Sequence, residues 1–137
     1  MTTANRAPKK VTVLIVEDHA PMRTMLGAFL QAAFPALGIL EARDGARAIE
    51  ACATHRPQLV LMDICLPDAN GIELVGRLKR SMPEARFIVA SYLSGAVYGD
   101  AARAAGASAY VAKDRLPAEL IPAVANALSM APAAGWR

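Results

Sequence analysis

The chain has 137 residues, 55% of them hydrophobic, with a formal charge of +3 and a pI near 9.1. That length suits one domain with a real core, the apolar content excludes a disordered chain, and so small a charge is a weak field source for nucleic acid. No apolar run approaches membrane-spanning length, residues 1–10 lack a signal peptide's apolar stretch, and Cys52 and Cys65 have neither disulfide-framework nor metal-type spacing, so a cytoplasmic protein with no membrane partner is expected.

Taken in order, residues 1–10 read as a flexible leader. Val11 to Val16 is β-branched almost throughout and predicts a strand, which stops at Glu17-Asp18-His19. Pro21 suits a helix N-terminus. Met22, Met25, Leu26, Phe29, Leu30 and Ala33 follow as one helical stripe, and Pro35 ends it. Gly38 to Ala42 is a weaker strand. Asp44 is placed to cap a second helix with Ala48, Ile49 and Cys52 inward.

Leu59 to Met62 is an unbroken apolar run without polar alternation, the pattern of a strand buried on both faces, and it runs directly into Asp63. Pro67 to Gly71 has turn chemistry, and a third helix carries Ile72, Val75 and Leu78 inward. Arg86 to Ala90 is a fourth strand ending at Ser91. An Ala-rich helix covers about Ala96 to Ala105, with Gly106 as its stop. Ser108 to Ala112 is a fifth strand ending at Lys113-Asp114, and Pro117 opens a last helix with Leu120, Ile121, Val124 and Leu128 on one face. A strand–helix unit repeated five times predicts a parallel sheet covered by helices on both faces. The first strand is followed by no Gly-rich loop, so neither dinucleotide nor P-loop fingerprints apply.

In such a sheet all strands end on one edge, where ligands bind. That edge receives Glu17, Asp18, Asp63, Ser91 and Lys113. Three carboxylates together repel unless a cation sits among them, and Mg²⁺ takes oxygen ligands of this kind. Lys113 suits a phosphoryl oxygen, Ser91 can donate to another, and a carboxylate can act as nucleophile to form an aspartyl phosphate. Each residue alone is an ordinary surface feature; the set on successive strand ends is specific.

Val13 to Asp18, Met62 to Pro67 with Gly71, Val89-Ala90-Ser91 and Tyr110 to Lys113 resemble a bacterial response-regulator receiver domain, over about residues 11–130 with 131–137 as a loose tail or linker. The resemblance implies a three-layer flavodoxin-like (βα)5 α/β fold with strand order 2-1-3-4-5. It implies that Asp63 accepts a phosphoryl group from a sensor histidine kinase or phosphotransfer protein. It implies Mg²⁺ held by Glu17, Asp18, Asp63 and the main-chain carbonyl of Cys65, with Asp18 the more direct of the acidic pair. Ser91 and Tyr110 match the switch residues, Tyr110 rotating inward as Ser91 moves, and Lys113 matches the family's lysine. The Lys113-Asp114 pair resembles the subfamily that often carries a helix-turn-helix output. DNA would then be reached only through a domain absent from this chain, which reads as a stand-alone regulator or the receiver half of a longer one. A signalling domain rather than an enzyme is expected. An aspartyl phosphohydrolase of the haloacid-dehalogenase type would want an Asp where Cys65 stands.

Cys65 and Tyr92 depart from the commoner family pattern. Cys65 lacks co-ligands for a metal or redox role; with Tyr92 it is placed to limit attacking water and prolong the phosphorylated state. His19 is expected to enter a helix, and Asp68 to be solvated, near enough to tune the site electrostatically. Gly95, Gly99 and the alanines suit either a loosely held fourth helix or close packing. A homodimer, through helix 4–strand 5–helix 5 or through helices 1 and 5, is left open.

Overall fold

The computed structural model describes residues 10–134; most of the expected leader and the last three residues of the tail lie outside them. The elements run β1 (Thr12–Val16), α1 (Ala20–Ala33), β2 (Gly38–Ala42), α2 (Gly45–His55), β3 (Leu59–Met62), α3 (Gly71–Ser81), β4 (Arg86–Ser91), α4 (Ala96–Ala105) and β5 (Ala109–Ala112), and a 3₁₀ turn (Lys113–Arg115) leads into α5 (Leu116–Leu128). The five strands are parallel in the order β2-β1-β3-β4-β5, the flavodoxin-like topology expected.

The central strands are apolar at consecutive positions because helices cover both faces. Leu14, Val16, Val60, Met62, Phe87 and Val89 point into the layer under α2, α3 and α4. Their neighbours Val13, Ile15, Leu59, Leu61, Ile88 and Ala90 point under α1 and α5. Burying a large aliphatic side chain is worth about 1.5–3 kcal/mol, against about 0–1 kcal/mol for an exposed ion pair, so these two layers set the stability.

The helix boundaries follow local chemistry. His19 is the N-cap of α1, its Nδ1 accepting the Met22 N–H at 3.3 Å. Asp44 accepts from Arg47 at the start of α2, and Asn70 from Ile72 and Glu73 at the start of α3. Two expectations need correction. Met25 does not join the buried stripe of α1 but is 43% exposed, because the face against the sheet is centred on Leu26, Gly27, Leu30 and Ala33 and Met25 lies at its edge. The start of the tail is not loose: Ala133 N–H donates to the Ala33 carbonyl at 2.7 Å, fastening the chain after α5 to the end of α1. On α4, Gly99 is buried, with Tyr110 3.9 Å from where its Cβ would stand, which favours close packing; at the helix start Gly95 (φ +111°) supplies no side-chain cap. No helix among the described residues is long and apolar enough to cross a membrane.

Candidate functional site

Parallel pairing brings the strand ends into register. Val16 lies beside Met62, Met62 beside Val89, and Ser91 beside Ala112. The residues that follow therefore meet at one edge, and Asp63 N–H donates to the Val16 carbonyl at 3.1 Å. Glu17 (2% exposed), Asp63 (7%), Ser91 (1%) and Lys113 (8%) are the buried polar or charged side chains among the described residues, and all stand at this edge. Burying charge is costly unless it is paired, so their concentration here marks a site rather than a structural need.

The Lys113 ammonium donates to Glu17 Oε1 and lies 3.3 Å from Asp63 Oδ1. Glu17 Oε2 accepts the His19 N–H at 3.1 Å. Burial pushes the Asp63 carboxyl up from its ordinary value, the charge of Lys113 pulls it back, and that of Glu17 adds to the rise; the net direction is upward. Burial alone would depress Lys113, but its bond to Glu17 and the charges of Asp63 and Glu17 reverse that and leave it raised. Lys113 is thus held as a cation between two buried acids.

Glu17, Asp18 and Asp63 each offer an oxygen within 4.8 Å of the others, an arrangement that could hold a divalent metal. This hard-oxygen set fits Mg²⁺. Asp18 is exposed and makes no hydrogen bond or ion pair among the described residues, whereas both carboxylate oxygens of Glu17 are engaged. Cys65 is exposed. Its loop is pinned by Leu66 N–H to Ala69 and Gly71 N–H to Ile64, bonds that leave the Cys65 carbonyl unused. With Tyr92 and the residues above, Cys65 lines a cavity of about 490 Å³. Tyr92 is 68% exposed, and the Lys113 ammonium lies 5.4 Å from its ring centre.

Ser91 and Tyr110 share Leu93 as a hydrogen-bonding neighbour. Leu93 N–H donates to Ser91 Oγ at 3.2 Å, and the Tyr110 hydroxyl donates to the Leu93 carbonyl. The expected inward turn of Tyr110 as Ser91 moves would start from this arrangement. Its half-buried ring already reaches the β4–α4 loop with Ser91 in place, since the two bonds use opposite ends of Leu93.

Asp68 has a structural job beyond mere solvation. Its two oxygens accept from Gly45 N–H (2.7 Å) and Ala46 N–H (3.0 Å), and these bonds hold its carboxyl below the ordinary value. It ties the loop after Asp63 to the start of α2. Asp68→Ala is expected to lower the melting temperature while leaving Asp63 and its buried partners in place. A depressed folded-state pKa stabilises above the unfolded value, so the deficit should vanish as pH falls through the carboxylate range. A thermal melt series over pH checks this; a pH-independent deficit would contradict it.

A parallel α/β domain with buried acid, hydroxyl and ammonium groups converging on one strand edge is the class these observations define. The chain belongs to the response regulator receiver domain family, whose model matches residues 13–125. It is 41% identical over 116 residues to the DNA-binding transcriptional activator DevR/DosR of Mycobacterium tuberculosis, covering 83% of this chain and 52% of that protein. It is 34% identical over 113 residues to the chemotaxis protein CheY of Thermotoga maritima, covering 82% and 92%. The crystal structure of a LuxR-family two-component response regulator from Aurantimonas sp. SI85-9A1 matches with a TM-score of 0.80 at 28% identity, covering 90% of this chain and 89% of that one. The chain spans about half the length of the transcriptional regulators it matches. Receiver domains are signalling domains of two-component systems.

Proposed function

We propose that this domain is a phosphorylation-activated switch of a phosphorelay, accepting a phosphoryl group on Asp63 from a sensor histidine kinase or phosphotransfer protein. The observation that carries the reading is the confinement of the buried polar side chains to the edge around Asp63. An Asp63 oxygen attacks phosphorus as the donor N–P bond breaks, its electron pair returning to the imidazole and the new O–P bond giving an aspartyl phosphate. Asp18, Asp63 and the Cys65 carbonyl would hold Mg²⁺, with Glu17 adding negative charge. Bound Mg²⁺ supplies neutralisation of the charge on the transferring oxygens. Lys113 opposes the effect of burial on Asp63 by favouring its ionised form, and then faces the new phosphoryl oxygens. Ser91, drawn to those oxygens, gives up the Leu93 N–H; the Tyr110 bond to Leu93 carries that change to the α4–β5–α5 face.

The reading places the protein in the cytoplasm and leaves a homodimer, or DNA reached through an output domain, as consequences of the switched face. Acetyl phosphate with Mg²⁺ is expected to label the protein and Asp63→Asn to abolish labelling; equal labelling of the variant would refute it. Tyr92 and Cys65 flank the opening, and Tyr92 partly covers Lys113, so both are proposed to limit attacking water. Tyr92→Ala should shorten the half-life of the phosphorylated protein, followed by loss of label; an unchanged half-life removes this role.

A further inference from the structure

Arg23 is the fourth residue of α1. A cation there opposes the helix dipole, so its placement calls for compensating partners. It has two. Nε pairs with Glu41 Oε1 of β2 at 2.9 Å, and Nη1 donates to the Glu17 carbonyl at 2.7 Å. The Glu41 side chain is 46% exposed, and so exposed an ion pair contributes little. The carbonyl bond is charge-assisted and belongs to the peptide that joins Glu17 to Asp18.

Every other polar group of Glu17 is committed as well. Its N–H donates to the Ala42 carbonyl at 3.0 Å, one carboxylate oxygen takes Lys113, and the other takes the His19 N–H. Asp18 has no such ties among the described residues. Its direction is therefore set by the backbone on either side, and on the Glu17 side the peptide plane is set by Arg23. We propose that Arg23 is a positioning residue for the cation site, aiming Asp18 by fixing the Glu17–Asp18 peptide. This rests on reading the acidic edge as a Mg²⁺-dependent phosphoacceptor site.

Two other roles predict different outcomes. Acting through its charge alone, Arg23 would repel Mg²⁺, and its removal would tighten binding. Acting only through the ion pair that joins α1 to β2, it would be mimicked by loss of Glu41. The test is calorimetric titration of Mg²⁺, without phosphodonor, into wild type, Arg23→Gln and Glu41→Gln. Arg23→Gln is expected to raise the dissociation constant by about ten-fold, the usual scale for groups that orient metal ligands. Glu41→Gln, which keeps the carbonyl bond, should change it by less than about two-fold. Unchanged or tighter binding by Arg23→Gln, or equal weakening by Glu41→Gln, overturns the proposal. Should Arg23→Gln fail to fold, Arg23→Lys keeps the charge but loses the planar fork; weaker binding supports the positioning role and unchanged binding refutes it. If wild type neither binds Mg²⁺ nor takes label, the functional reading itself fails. If wild type does both and Arg23→Gln matches it, only the positioning role falls.

Discussion

Replacing Gly71 with alanine is expected to cost at least about 3 kcal/mol of stability, the upper end for overpacking, and to abolish phosphoryl acceptance. Gly71 opens α3, and its N–H donates to the Ile64 carbonyl at 2.7 Å. A Cβ there would stand 1.9 Å from the Asp63 carbonyl oxygen, 2.7 Å from its carbon and 2.9 Å from Ile64 Cα. These are backbone atoms and cannot swing aside, so the strain falls on the segment that carries the Asp63 carboxylate. Alanine's better helix propensity returns no more than about 1 kcal/mol, so the overlap wins. Gly76 supplies the contrast within the same helix. Its Cβ would meet nothing nearer than Ala105 at 3.8 Å, an ordinary contact. Gly76→Ala should be neutral or stabilising by up to about 1 kcal/mol. Urea unfolding of both variants, with the yield of acetyl phosphate labelling, checks the pair. Wild-type stability and labelling in Gly71→Ala would show that the loop relaxes at little cost.

Lys113→Met should cost about 3–5 kcal/mol in metal-free buffer, because it strands two buried carboxylates that the ammonium now joins. The raised folded-state pKa of Lys113 means that its stabilisation is complete below the unfolded value of 10.5 and is lost as pH rises through the folded one. In the variant, Asp63 faces Glu17 without a cation. Protonation of Asp63, whose pKa burial already raises, then relieves the repulsion as pH falls. The gap between variant and wild type should therefore narrow on acidification. Millimolar Mg²⁺ should also restore part of it, since a cation that binds only the folded site stabilises the fold. Thermal melts with and without Mg²⁺ across pH measure both effects. A small gap, indifferent to pH and to Mg²⁺, would mean that Lys113 contributes mainly through its packed methylenes, which methionine largely replaces.

Much of the edge is legible in the sequence. Asp63 is conspicuous because the apolar run before it leaves nothing else for its end to carry, and Glu17, Ser91 and Lys113 each follow a run of the same kind. Their burial was not legible, since a residue just past a strand reads equally well as hydrated. Helical periodicity gives the direction of a stripe but not the width of the surface it meets, and Met25 falls outside that width. A cation as early in a helix as Arg23 is a signal in the sequence, but its partner Glu41 is brought to it by the pairing of β1 with β2, and the Glu17 carbonyl by the geometry of the β1–α1 turn. Nothing local links Asp68 to Gly45, 23 residues earlier, so spacing alone suggests a solvated side chain.

The order of elements, the parallel sheet and the residues at its carboxyl edge were determined by the chain alone, because apolar runs, turn residues and strand ends are local features. Which oxygen of Glu17 takes Lys113, why Gly71 tolerates no side chain, and how Leu93 joins Ser91 to Tyr110 were decided only by the tertiary structure. Those contacts span neighbouring strands and loops, and their geometry depends on register and packing distances that residue spacing along the chain does not contain.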